Sequence, residues 1–124
     1  RLGLLMSDNV KKTDYGYEIK WATSESYYSK ILVFEHPGTK TPMTFHKEKT
    51  KTWFVNSGDF RLRWVNTKEG TLYEHDLKEG AVFHVPALMP TSIECLQAGS
   101  SIAETGNVDL NNDDYKINSG SLSK

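Results

Sequence analysis

Apolar and aromatic residues along the chain come in short bursts, and each burst stops at a turn-forming residue. Tyr27 to Phe34 is such a run. It ends at His36-Pro37-Gly38, where proline withholds a ladder donor and glycine permits a turn. Thr50 to Val55 leads into Asn56-Ser57-Gly58-Asp59, which reads as a hairpin turn. Beyond it Phe60, Leu62 and Trp64 alternate with Arg61 and Arg63, the period of two expected of a strand with one buried face. Turns at Lys68-Glu69-Gly70 and Lys78-Glu79-Gly80 bracket Thr71 to Leu77, Ala81 to Val85 meets Pro86, and Ser92 to Gln97 precedes Gly99. Strands thus recur roughly every ten residues and no stretch holds a helical period. The pattern predicts an all-β chain folded as an antiparallel sandwich or closed barrel, the arrangements that hide strand edges.

A chain of 124 residues accommodates one domain with its own core and leaves no room for a second. Its 15 basic and 16 acidic side chains nearly cancel, so no strong field draws a polyanion and nucleic acid is not the expected partner. No apolar run approaches the roughly 20 residues of a membrane helix, and the start lacks the features of a secretory signal. The expectation is therefore a cytoplasmic protein that does not enter a membrane. Cys95, the single cysteine, has no internal disulfide partner, which suits a reducing compartment. In its strand-like run it reads as a small buried hydrophobe, with a reactive thiol as the other reading.

Met6 followed by Ser7-Asp8-Asn9 resembles a natural start, so Arg1 to Leu5 read as residues appended ahead of it. Residues 1–14 are expected to form an N-terminal extension, 15–117 the single domain and 118–124 a polar tail. From Asn111 onward the chain is rich in Asn, Asp and Ser, and mobility is expected there except where Tyr115 and Ile117 tack it down. Asp113-Asp114 in this stretch reads as a solvated turn.

Four stretches agree in order and spacing with a known family. They are Asp14-Tyr15-Gly16-Tyr17-Glu18, then Gly38 to Gly58 with Met43-Thr44-Phe45-His46 and Trp53-Phe54-Val55-Asn56-Ser57-Gly58, then Gly80 to Thr91 with Phe83-His84-Val85-Pro86, and finally Ile93 to Ser100. On these residues the chain resembles the small cupins, and more narrowly the C-terminal cupin region of type II mannose-6-phosphate isomerases, over about Tyr15 to Ile117. The resemblance implies a double-stranded β-helix, the jelly-roll barrel, from about Tyr15 to Ala103, with Ile93 to Ser100 as its last core strand. It also implies a homodimer, formed through sheet faces or exchanged terminal strands, with residues before Tyr15 and the run Tyr27 to Phe34 contributing.

A metal-binding cupin takes two histidines and a carboxylate from its first motif and a third histidine from its second. In this chain the resemblance puts His46 at the first position, Glu48 at the second, Lys51 where the carboxylate belongs and Thr91 at the last. Leu88 stands where the second motif carries a turn glycine. One ligand is kept in kind. His46 and Glu48, two apart, share a face if the segment is extended, and imidazole and carboxylate both bind divalent cations, but two donors make a weak site. His84 and His75 are the replacements to consider, against the reading of each as a surface or hydrogen-bonded histidine; His36 reads as a loop residue. The metal set His46, Glu48 and His84 is accordingly expected to be weak or absent, and the leading expectation is no cofactor.

Lys51 repels a cation and is expected to pair with Glu48, with His46, Glu48 and Lys51 converging on the barrel mouth. Arg61, Arg63 and Trp64 read either as a ligand-binding surface, with an arginine fork for an anion and a ring for a sugar face, or as an ordinary strand with arginines in solvent and Trp64 in the core. Trp53 and Phe83 read as packing, and Trp21 fits no motif. A phosphate loop, zinc-spaced cysteines and a serine nucleophile elbow are all missing from the sequence. Three functions follow in order: a small-molecule-binding cupin for a sugar or sugar phosphate; a sugar-phosphate or nucleotide-sugar isomerase or epimerase using Glu48 or His46 as base and Lys51 to stabilise an enolate oxygen; and a non-catalytic structural or regulatory module with a filled interior.

Overall fold

A computed structural model of the chain describes residues 9–110 and 112–117. The bursts of apolar residues become strands: β1 (Val10–Lys12), β2 (Gly16–Thr23), β3 (Tyr28–Phe34), β4 (Thr44–Phe45), β5 (Lys51–Ser57), β6 (Asp59–Asn66), β7 (Thr71–Lys78), β8 (Val82–Val85), β9 (Thr91–Cys95), β10 (Ser100–Gly106) and β11 (Tyr115–Lys116). They form two sheets, β1-β2-β3-β10-β5-β8 and β11-β4-β9-β6-β7. Every pairing between these strands is antiparallel, and no α-helix occurs among the described residues. The antiparallel all-β fold expected from the alternation is observed, in the two-sheet jelly-roll form that the resemblance implies.

The two sheets face each other across a core that includes Leu32, Phe34, Val55, Phe60, Leu62, Ile93, Cys95 and Ile102, all buried. Phe34 anchors one end, stacked on Tyr15 with ring centroids 4.1 Å apart and edge-on to Phe60 at 5.0 Å. Burial of a side chain of this size contributes about 1.5–3 kcal/mol. Cys95 is fully buried among them, as the small-hydrophobe reading expects.

Two expectations need correction. Asn56-Ser57-Gly58-Asp59 is a corner rather than a hairpin turn, because β5 and β6 lie in different sheets. Gly58 makes the corner with φ of +88°, and a Cβ there would come within 2.8 Å of Ser100 Cα, so both backbone shape and space call for glycine. Second, Ile93 to Ser100 does not supply the last core strand. β10 follows it and runs through the middle of the six-stranded sheet, paired with β3 on one side and β5 on the other. Within the expected extension, Val10–Lys12 form β1, which pairs with β2 as the edge strand of the six-stranded sheet. The reading of Met6 as a start and the tail 118–124 lie outside the described residues.

The outer face of the six-stranded sheet carries a feature the sequence reading did not identify. Val10, Ile19, Ile31, Ala103, Phe54 and Val82 are successive cross-strand partners, one from each strand. They make an unbroken apolar row opposite the core, with Phe54 and Val82 exposed at one end.

Candidate functional site

At one end of the interior the inward-facing side chains change from apolar to charged. Glu104, on the central strand β10, is 3% exposed. Tyr28 donates its hydroxyl to Glu104 Oε2 at 2.6 Å and Trp53 donates Nε1–H to Oε1 at 2.7 Å. The ammonium groups of Lys30 and Lys51 each lie 3.9 Å from this carboxylate. Burial pushes the Glu104 carboxyl up, but Lys51, Lys30, Lys49 and the Tyr28 hydroxyl outweigh it and hold the group at about 2. Lys30 is the most heavily compensated cation, with Glu18 at 3.3 Å, Asp109 at 3.6 Å and Glu104 beyond. Burial lowers its affinity for a proton, yet these three carboxylates raise it overall.

His46 sits at the mouth of this end, buried, just after β4. Its Nδ1 lies 3.0 Å from the Asp113 carbonyl and 3.1 Å from Asp114 Oδ1. Both are acceptors, so Nδ1 carries the proton and Nε2 presents a lone pair. Facing Nε2 at 3.2 Å is Lys51 Nζ. Burial, then the Lys51 charge, push the His46 pKa down despite the Asp113 carbonyl. Lys51, itself nearly enclosed and held over the Trp53 ring at 4.8 Å, also has a lowered pKa: burial acts first, Glu104 opposes it, and Lys49 and Lys30 reinforce it.

The chain after β10 forms a strap over this mouth. Asp109 binds Lys20 at 2.7 Å and Lys49 at 2.9 Å. The Asp113 carboxylate accepts the backbone N–H groups of Lys47, Glu48 and Lys49 at 2.9 to 3.2 Å. Asp113 is therefore buried and structural, not a solvated turn. β11 then pairs with β4 and stacks Tyr115 on Phe45 at 5.2 Å, which bears out the tacking expected of Tyr115. The Ile117 amide donates to the Met43 carbonyl at 2.8 Å.

Beneath the strap lies a cavity of about 230 Å³ whose walls include His46, Lys51, Trp53, Glu104, Thr44 and Thr91. A second, larger cavity of about 610 Å³ adjoins it. The two share Glu18, Lys30, Lys49 and Asp114, and the outer one adds Lys11, Lys20 and Asp109.

Of the residues the sequence reading nominates, the structure places His46 and Lys51 together in the cavity and the others outside it. Glu48 is exposed. The segment after Phe45 is not a strand, so the two-residue step that would align Glu48 with His46 does not apply; the step runs backward instead, to Thr44. The partner of Lys51 is Glu104 rather than Glu48. His84 lies on the outer face of β8, exposed, with Nδ1 3.2 Å from the Thr52 hydroxyl. Its inward neighbours in the two-residue period are Phe83 and Val85, so it cannot reach His46. Arg61 and Arg63 face solvent and pair with Asp76 at 3.5 Å and Glu74 at 2.7 Å. Trp64 packs against the core and stacks on Tyr73 at 4.7 Å, and this trio does not line the cavity. His75 is exposed, its ring parallel to Trp64, and His36 is an exposed loop residue. Sequence reasoning missed Glu18, Lys30, Lys49, Glu104 and Asp109.

The donor set does not suit a divalent metal. The positions around the cavity that correspond to the motif offer one imidazole, two threonine hydroxyls and an ammonium, and the ammonium opposes a cation. Among the described residues no group of three or more His, Cys, Asp or Glu side chains is arranged to hold one.

Leu88, the residue in place of a turn glycine, adopts φ of +70°. Its amide donates to the His46 carbonyl at 2.7 Å. A non-glycine residue in this left-handed region costs on the order of 1 kcal/mol, and the bond it makes helps fix His46.

No family model matches the chain, and no curated protein matches it. Solved structures do. A single-site variant of oxalate decarboxylase from Bacillus subtilis superimposes with a TM-score of 0.76 at 21% identity, over 87% of this chain and 30% of that one. The same enzyme at pH 4.6 gives 0.77 at 20% identity, over 87% and 29%. The capsular polysaccharide assembling protein CapF from Staphylococcus aureus gives 0.74 at 16% identity, over 87% and 32%. This chain thus spans about a third of the length of each. The likeness does not single out the isomerase cupin region to which the sequence was compared. Two antiparallel sheets in jelly-roll order, with a polar cavity at one end, and these superpositions together identify the chain as having the cupin fold.

Proposed function

We propose that the chain binds a small polar ligand of the sugar or sugar-phosphate class in the cavity at the charged end of the barrel. The observation that carries this reading is the combination of an aromatic wall, Trp53 and Tyr15, with the fixed hydrogen-bonding groups of His46, Lys51 and Glu104 around one cavity. At about 230 Å³ it is smaller than the roughly 300–1,000 Å³ of typical ligand pockets, so the ligand is no larger than a monosaccharide. Of the lysines lining the adjoining cavity, Lys20, Lys30 and Lys49 already face Glu18 or Asp109, so Lys11 is the further cation that supplies counter-charge for an attached phosphate. One structural neighbour is a capsular polysaccharide assembling protein, a role in keeping with carbohydrate chemistry. The exposure of Glu48 leaves the isomerase reading with His46 as its only nominated base.

Titration with mannose 6-phosphate, mannose and inorganic phosphate, followed by 1H–15N NMR, tests the reading. The Trp53 indole N–H and the amides of residues 47–49 should shift, with the sugar phosphate binding tightest. Unchanged spectra with all three ligands would refute it.

We further propose that the outer apolar row from Val10 to Val82 is the contact of a homodimer. Six apolar side chains in register across a sheet are a self-complementary surface under a two-fold axis. Light scattering should give a dimer mass, and Phe54→Lys should return it to the monomer.

A further inference from the structure

We propose that Lys51 is an imine-forming lysine, whose Nζ condenses with the carbonyl carbon of a small aldehyde or ketone in the cavity while His46 Nε2 accepts the proton the amine sheds. The inference rests on the cavity being a ligand site, and it narrows the ligand to compounds that carry a free carbonyl, open-chain sugars included.

Lys30, Lys49, Lys51 and Lys116 line this cavity; Lys116 is exposed, and the surroundings of the other three differ. Lys30 Nζ has three carboxylates within 4 Å. Lys49 Nζ is hydrogen-bonded to Asp109 at 2.9 Å. Both are paired with carboxylates at close range. Within 4 Å Lys51 Nζ has one described carboxylate, Glu104, at 3.9 Å, which is beyond hydrogen-bond distance, with Asp114 acting from farther off, and both oxygens of Glu104 already accept bonds from Tyr28 and Trp53. The close partner of Lys51 is instead the lone pair of His46 Nε2 at 3.2 Å. Its side chain is 13% exposed and lines the cavity.

A buried amine next to two other ammonium groups and hydrogen-bonded to a neutral base is the arrangement that yields a free amine at neutral pH. The lowered pKa of Lys51 agrees with that geometry. His46 is in turn fixed in the required tautomer by Asp113 and Asp114.

The chemistry balances without a co-reactant. The Lys51 ammonium releases one proton to His46. The amine lone pair forms the C–N bond while the carbonyl π pair moves to oxygen, which takes up a proton. A further proton moves from nitrogen to the carbinolamine hydroxyl, and that group leaves as water. The ammonium and the carbonyl compound have become a protonated imine and one water, with His46 regenerated.

The test uses the full chain with two probes, D-glyceraldehyde 3-phosphate and sn-glycerol 3-phosphate, which differ in the carbonyl. Cyanoborohydride trapping of the aldehyde at neutral pH, followed by peptide mass mapping, should label Lys51 at least about tenfold faster than the exposed Lys68 and Lys78, because the free-amine form is the nucleophile. This comparison is internal to the wild-type protein and does not depend on any variant folding. His46→Gln should slow trapping at Lys51 and move its pH profile upward while leaving Lys68 unchanged, and Lys51→Arg should abolish the label at this site. If glycerol 3-phosphate binds at the cavity by NMR and Lys51 is trapped no faster than Lys68, the imine proposal is overturned and the ligand-binding reading stands. If neither probe shifts the cavity resonances and no selective label appears, both fall.

Discussion

Along β3 the inward-facing side chains run Phe34, Leu32, Lys30; along β5 they run Val55, Trp53, Lys51; along β10 they run Ile102, Glu104. Lys30 and Glu104 are direct cross-strand partners, and Lys51 follows one two-residue step further along β5, opposite Gly106, so three neighbouring strands switch from apolar to charged toward the same end of the barrel. At the apolar end stability follows from area and fit, and any well-shaped hydrophobe serves. At the charged end each group is tolerable only because a specific partner faces it: Glu104 needs Lys30, Lys51, Tyr28 and Trp53, and Lys30 needs Glu18 and Asp109. Replacing such an array by hydrophobes is often neutral or stabilising, while removing one partner is costly. The charged end is thus a poor source of stability, and its retention in an otherwise close-packed barrel is what points to function.

Glu104→Gln should have the largest effect. It leaves Lys30 and Lys51 less compensated at the centre of the sheet, with an expected loss of about 3–5 kcal/mol at neutral pH by denaturant unfolding. Phe60→Ala at the opposite end should cost a similar amount, about 3–5 kcal/mol, through lost burial and a cavity. The two separate on acidification. Glu104 has its folded pKa at about 2, below the ordinary 4.5. Between those values the unfolded chain binds more protons, so the stabilisation is complete above pH 4.5 and disappears as the pH falls toward 2. The penalty of Glu104→Gln should therefore shrink across that window while that of Phe60→Ala stays constant. A pH-independent Glu104→Gln penalty would mean that shape, and not charge, governs this end.

Asp113→Ala should cost about 1–3 kcal/mol, since the amides of Lys47, Glu48 and the buried Lys49 lose their acceptor. Hydrogen exchange at Lys47, Glu48 and Lys49 should accelerate far more than at Val55 or Ile102. Smallest of all should be Arg61→Ala, within about 0.5 kcal/mol, because its contact with Asp76 is a solvent-facing pair. A larger loss would assign the Arg61 face a role that its exposure does not suggest.

Glycine and proline punctuation and the Phe60-Leu62-Trp64 alternation made most of the strands legible in the sequence. β10 escaped because Ser100-Ser101-Ile102-Ala103-Glu104-Thr105-Gly106 has one large apolar residue, and serine, alanine, glutamate and glycine are weak strand formers whose place here is decided by the strands on either side. The charged cluster nevertheless left a signal. Lys30 has the parity of Leu32 and Phe34, Lys51 that of Trp53 and Val55, and Glu104 that of Ile102, so each is a charge in the buried phase of its strand. Parity could also have warned against Glu48, but only with the knowledge that the extended segment ends at Phe45. That stop is imposed by Asp113, 64 to 66 residues away in sequence from the amides it holds, and no local pattern reports it.

The strap has a kinetic consequence as well. The carboxylates that position His46 and arrest the chain at residues 47–49 belong to the last described stretch of the sequence, so loop closure over more than half the chain must precede completion of the site. Folding then proceeds from a barrel that is already hydrogen-bonded strand to strand toward a mouth that closes late. By the same order in reverse, the lowest-energy opening of the native state is release of this stretch, β11 included, with the other ten strands still paired. Exchange of a ligand at the proposed site would then follow the release of residues 112–117, on a timescale set by a few hydrogen bonds rather than by the stability of the barrel.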